Sequence, residues 1–126
     1  WTLLYLPKGE CLEACIRTLY HMRQVRLALN HRMDRVQRAV LEQDPEQLSE
    51  ELLAEHEGLI VVGGNVTEQK TLSGQVQAAE ASLPKLDDSI YLIDPFANIM
   101  MRFPANLPPK SMLKDLKHLL KVSRIG

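Results

Sequence analysis

The sequence predicts an α/β protein with a mixed central sheet, helices on both faces, and a C-terminal β-hairpin followed by a helix. Three observations predict it. Short, almost wholly apolar runs at residues 2–6, 59–62 and 90–93 suit strands buried within a sheet. Stretches with apolar residues three and four apart lie between such runs and read as helices. Finally, Ile90–Ile93 and Ile99–Phe103 are joined by Asp94-Pro95-Phe96-Ala97-Asn98. That connection is too short for a parallel crossover, so the pair reads as a hairpin.

Residues 2–6 form the first strand, and Pro7-Lys8-Gly9-Glu10 the turn after it. From Cys11 to Asn30 the pattern is helical, with Leu12, Cys15, Leu19, Met22, Val25 and Leu29 on one stripe and Asn30 as the stop. Residues 35–41 could extend a helical stripe through Met33, Val36 and Val40. The segment is short, follows a stop signal and is closed by Asp44-Pro45, so it reads as a strand. Asp44 is expected to cap a helix from Pro45 to about His56, with proline at its first position and acidic residues in its early turns. Leu59–Val62 is the next strand, ended by Gly63-Gly64, and Thr67 opens a helical stretch to Ala81. After the hairpin, Pro109 starts the last helix. Its stripe is Met112, Leu113, Leu116, Leu119, Leu120 and Val122, with Lys110, Lys114, Lys117 and Lys121 outside. Residues 123–126 read as a fraying tail. The expected order is β-α-β-α-β-α-β-β-α in a single domain spanning 1–126.

With 126 residues, 45% of them apolar, the chain can build a core without metals or staples. Its net charge of −1, with basic residues interspersed among acidic ones, gives no nucleic-acid footprint, so no nucleic-acid partner is expected. The richest basic run holds Arg23, Arg26, Arg32, Arg35 and Arg38 together with Asp34, and reads as a solvated face. No stretch is long and apolar enough to span a bilayer. The chain opens at Trp1, already inside an apolar strand, and reads as a trimmed piece whose upstream sequence would hold any anchoring segment.

Cys11 and Cys15 are the only cysteines, one helical turn apart where a strand becomes a helix. That spacing is a redox or metal arrangement rather than a disulfide framework. A helix start directs unpaired N–H groups at the thiols and favours the thiolate. The effect is on the order of 0.3–1 kcal/mol, less than one pKa unit. Glu10 and Glu13 oppose it, while Lys8 and Arg17 assist. As a redox pair, Cys11 and Cys15 would make a weak thiol–disulfide oxidoreductase, with Cys11 the more exposed and nucleophilic partner. As a metal site, two thiolates suit Cu(I). As a structural staple, a disulfide across so short a loop adds little entropic stabilisation. His21 follows Cys15 by about 600° round the helix and points away from it. His31, His56 and His118 fall near predicted helix ends and read as surface residues. Met22, Met100 and Met101 read as core packing. Gly63-Gly64-Asn65 lacks the lysine spacing of a phosphate loop, and no other catalytic constellation stands out.

Four features recur together in one family. They are the C-x-x-x-C at Cys11 and Cys15, the Leu41-Glu42-Gln43-Asp44-Pro45-Glu46 segment, the Ile90-Tyr91-Leu92-Ile93-Asp94-Pro95 strand and turn, and the closing lysine-rich helix. In these the sequence resembles thioredoxin-like domains of the Sco/SenC family, assembly factors of cytochrome c oxidase. The resemblance implies a thioredoxin-like fold and Cu(I) held by Cys11 and Cys15. It also implies a location on the periplasmic face of the inner membrane, through an N-terminal transmembrane anchor, and a cytochrome oxidase subunit or copper chaperone as partner. The family completes its copper site with a histidine several residues before the Tyr-Leu-Ile-Asp strand. Here residues 83–90 contain no histidine, Asp87, Asp88 and Ser89 stand in its place, and Ile16 follows Cys15 where the family has proline. The expectation is a divergent relative that assists oxidase biogenesis by thiol–disulfide exchange or copper handling. The alternative is a non-catalytic assembly domain with a structural disulfide.

Overall fold

The computed structural model describes residues 1–7, 10–42, 46, 48–62 and 88–126. Strand β1 (Thr2–Leu6) lies at the centre of the sheet and all five of its residues are buried. A strand paired on both edges and packed on both faces leaves little room for polar side chains, which accounts for its Leu-rich sequence. Strand β2 (Gln37–Leu41) pairs with β1 in parallel, and β3 (Leu59–Val62) pairs in parallel with β2. On the other edge β4 (Ser89–Ile93) runs antiparallel to β1, and β5 (Ile99–Pro104) antiparallel to β4. The order is β3-β2-β1-β4-β5, the mixed sheet the sequence predicts.

Side chains alternate between the two faces of the sheet. Leu3, Tyr5, Val40, Ile90 and Leu92 share one face with the helices α1 (Glu13–Ala28), α2 (Glu50–Glu55) and α3 (Pro109–Val122). Leu19, Met22 and Val25 of α1, Leu52 of α2, and Met112, Leu116 and Leu120 of α3 fill that core. Leu4, Leu6, Ala39, Tyr91 and Ile93 form a second buried cluster on the opposite face. The helix expected at 67–81 lies outside the described residues.

The hairpin is fixed by Asp94. Its carboxylate accepts hydrogen bonds from the N–H groups of Phe96 (2.9 Å) and Asn98 (2.8 Å) and from Asn98 Nδ2 (3.0 Å). Burial alone would raise this carboxyl, but the hydrogen bonds from Asn98 and Phe96 outweigh it and hold the group below the usual carboxylate range.

Three expectations are corrected. Helix α2 is shorter than predicted and begins after Ser49, whose Oγ accepts from the Leu52 N–H at 3.1 Å, with Glu50 and Glu51 in its first turn. Asp44 and Pro45, the expected start, lie outside the described residues. Between α1 and β2 a 3₁₀ helix (Asn30–Arg35) intervenes, entered through Asn30 at φ 54°, so the strand starts two residues later than expected. The tail does not fray. The Arg35 guanidinium donates to the carbonyls of Leu120, Ser123, Ile125 and Gly126, and Trp1 Nε1 donates to Ile125 O at 2.9 Å.

Candidate functional site

The chain leaves β1 at Leu6 and enters α1 through Leu12, the N-cap residue, whose side chain makes no capping hydrogen bond. Cys11 therefore stands outside the helix and Cys15 is its third residue, on the buried stripe with Leu19 and Met22. The two are joined in a disulfide with a Cα–Cα distance of 4.9 Å. Cys15 is 4% exposed, whereas Cys11 is only partly buried and packs at the margin of the core. The bond thus has one sulfur on the solvent side and one on the core side. Leu12 offers no side-chain acceptor to the first N–H groups of α1, at the turn that contains Cys15.

A cleft of about 300 Å³ opens along the neighbouring face of α1, lined by Ala14, Arg17, Thr18 and His21 and, across it, by Asp88 and Asn106. Asp88 is fixed on three sides. It takes φ 59°, its carbonyl accepts from the Ala105 N–H at 3.0 Å, and its carboxylate accepts from the Tyr5 hydroxyl. Burial first, and then the Asp88 carboxylate, push the Tyr5 phenol well above its usual range. Neither member of this pair was singled out as functional from sequence, since Tyr5 is one residue of an apolar strand and Asp88 one of two adjacent acids.

Asp88 occupies the stretch where the family resemblance places a copper-binding histidine. Its carboxylate is a hard oxygen donor already engaged by Tyr5, and poorly suited to Cu(I). Residues 63–87 contain no histidine, cysteine or methionine. Among the described residues no three histidine, cysteine or acidic side chains group as a metal site. The donor set here is two sulfurs, and the three-ligand copper site does not fit it.

The histidines and methionines divide. His21 lines the cleft with Ala14 and Thr18, while His31 and His118 are exposed. His56, expected at the surface, is instead 3% exposed at the C-cap of α2, and its Nδ1 has no partner. Burial first, then the Arg23 and Arg38 charges, lower its pKa. Met22 is fully buried and Met101 packs against the core, but Met100, expected in the core, is 48% exposed because its side of edge strand β5 is open. The solvated-face reading of the basic run also fails. Arg38 is 4% exposed, and Arg23, Arg26, Arg35 and Arg38 all donate to backbone carbonyls. Among the described residues no helix is long and apolar enough to cross a membrane.

A disulfide at the first strand-to-helix junction of a mixed five-stranded sheet defines a thioredoxin-like protein. The family described as "Transmembrane-like, thioredoxin-like, C-terminal domain" matches residues 1–123, and the chain belongs to it. No curated protein sequence matches the chain. Among solved structures it is similar to copper-bound ScoI of Arabidopsis thaliana, at 20% identity and TM-score 0.68, over 98% of this chain and 85% of that one. Copper-bound ScoI of Bradyrhizobium japonicum aligns at 20% identity and TM-score 0.61, over 93% and 83% of the two chains. A yeast mitochondrial 1-Cys peroxiredoxin aligns at 16% identity and TM-score 0.59, over 96% and 64%. At these identities the likeness is one of fold: a Sco-like thioredoxin fold.

Proposed function

We propose that Cys11 and Cys15 form a thiol–disulfide exchange pair serving cytochrome oxidase biogenesis, with a cytochrome oxidase subunit or copper chaperone as partner. The observation that carries this reading is the asymmetry of the disulfide, with Cys11 reachable and Cys15 enclosed. A partner thiolate attacks the Cys11 sulfur, the Cys11–Cys15 bond breaks, and Cys15 leaves as a thiolate in the first turn of α1, where the helix N–H groups favour the anion. The partner's second thiolate then attacks its own sulfur in the mixed disulfide and releases Cys11. Two electrons pass from partner to protein, and the two protons lost by the partner's thiols are matched by those taken up at Cys11 and Cys15.

Each single-cysteine variant tests the asymmetry. With oxidised glutathione, Cys15→Ser is expected to trap an adduct at Cys11, and Cys11→Ser to react at least about tenfold more slowly because its remaining thiol is buried. Equal rates in the two variants would refute the assignment.

Copper handling is a second reading, favoured by the copper-bound ScoI neighbours. In it the reduced pair would hold Cu(I) through two sulfurs alone. Titration against a competing chelator tests it, and an affinity unchanged in the Cys11→Ser, Cys15→Ser double variant removes it. A periplasmic, membrane-anchored setting is proposed from the transmembrane-like character of the family. An apolar span of about 20 residues upstream of Trp1 in the encoding gene would support it.

A further inference from the structure

Three arginines converge where the last turns of α1 meet β2 and the end of α2. Arg23, Arg26 and Arg38, with Leu27, Glu55 and Glu57, line a pocket of about 140 Å³. Arg38 is 4% exposed, and its Nη2 donates to the Glu57 carbonyl at 2.6 Å. Its Nε and Nη1 are buried without a partner, and so is the Nε of Arg23, whose Nη1 donates to the Glu55 carbonyl. Arg26 donates to the Val36 carbonyl at 2.7 Å and lies 3.9 Å from the solvent-exposed Asp34 carboxylate.

A helix C-terminus favours nearby cations, which accounts for Arg26 in the last turn of α1. It does not account for Arg38. A guanidinium that gives up its hydration and leaves two nitrogens without acceptors, beside two more guanidiniums, is an unbalanced arrangement. Burial and the charges of Arg26 and Arg23 all disfavour the cation at Arg38. The missing component is one compact group carrying negative charge and several acceptor oxygens.

We propose that this pocket binds a small tetrahedral oxyanion of the phosphate class, held by the guanidinium groups of Arg38 and Arg23 that line it, with Arg26 closing the site. Planar forks of N–H donors match phosphate oxygens in pairs. Glu55 and Glu57 are exposed residues that also line the pocket, and their carboxylates oppose an anion there, so the three guanidinium groups have to outweigh them. The site draws on none of the residues around the disulfide, so it stands or falls independently of thiol exchange.

Thermal unfolding of the oxidised protein at pH 7 tests it, comparing inorganic phosphate with chloride at matched ionic strength. Phosphate at 10 mM is expected to raise Tm by about 2–6 °C, and Arg23→Gln to remove most of that rise. Arg38→Lys keeps a charge but loses the fork, and is expected to lose at least half of it. Arg23 is only partly buried, so its variant decides the matter even if the Arg38 variant fails to fold. A parallel series with glycerol 3-phosphate separates the sources. Stabilisation by inorganic phosphate alone assigns the site to the free anion, and stabilisation by both extends it to phosphomonoesters such as lipid headgroups. Equal Tm in phosphate and chloride, or the same rise in Arg23→Gln, overturns the proposal.

Discussion

One end of α1 lies beside two sulfurs whose geometry is local, and the other gathers charged groups from three elements. At the N-terminal end, four residues and one helical turn suffice to bring Cys11 and Cys15 together. At the C-terminal end, Arg23 and Arg26 acquire their setting only because β2 brings in Arg38 and the end of α2 brings in Glu55 and Glu57. The first arrangement exists wherever a helix starts at this sequence; the second exists only in the folded sheet. Chemistry built from neighbours in sequence can be read from spacing, while chemistry built from neighbours in space needs the register of the strands.

The largest expected effect tests whether the two ends belong to one cooperative unit. Met22 lies between them and is fully enclosed by the core shared with β1 and α3. Met22→Ala is expected to cost about 2–5 kcal/mol in urea unfolding. Thiol accessibility of the reduced pair and loss of helical signal should follow the same transition. Separate transitions would mean that the ends unfold independently.

A smaller effect separates exchange from stapling. Reducing Cys11–Cys15 is expected to lower stability by about 2 kcal/mol, the chain-entropy value for a loop this short. A loss of 4 kcal/mol or more would mark the bond as a structural staple rather than a reactive pair.

The smallest effects lie in pH dependence, and they differ in sign between His56 and Tyr5. His56, beside Arg23 and Arg38, has a folded pKa below its usual value, with Glu55 alone acting in the opposite direction. Below about pH 6.5 the unfolded chain binds the proton more readily, so stability is full above that pH and falls as pH drops through the folded value. Tyr5, hydrogen-bonded to Asp88, has a raised pKa, so its contribution is full below about pH 10 and is lost as pH rises further. His56→Gln should flatten the acid slope and Tyr5→Phe the alkaline one, each leaving the other unchanged in unfolding measured across pH.

Much of the fold was legible because it is written in apolar periodicity. The runs at Thr2–Leu6, Leu59–Val62 and Ser89–Ile93, the stripes of α1 and α3, and the Asp94 hairpin all occur where the pattern puts them. The start of α2 was misread because Asp44-Pro45 carries a strong initiation signal, whereas the described helix is capped by the quieter Ser49. At the site, the cysteine pair was legible from spacing. The Tyr5–Asp88 hydrogen bond was not, since its partners lie 83 residues apart and meet through the antiparallel pairing of β1 with β4. Arg38 was misread for a related reason. A run rich in arginine looks solvated, and nothing local reveals that the residue's side of β2 is closed over by the end of α2.

Whether Cys11 and Cys15 act as an exchange pair turns on their reduction potential. Equilibration in buffers of defined potential, followed by thiol alkylation and mass spectrometry, gives the value. An exchange pair is expected to have a midpoint above about −230 mV, among proteins that exchange disulfides. A pair still oxidised below about −300 mV would contradict it and leave Cys11–Cys15 as a structural bond.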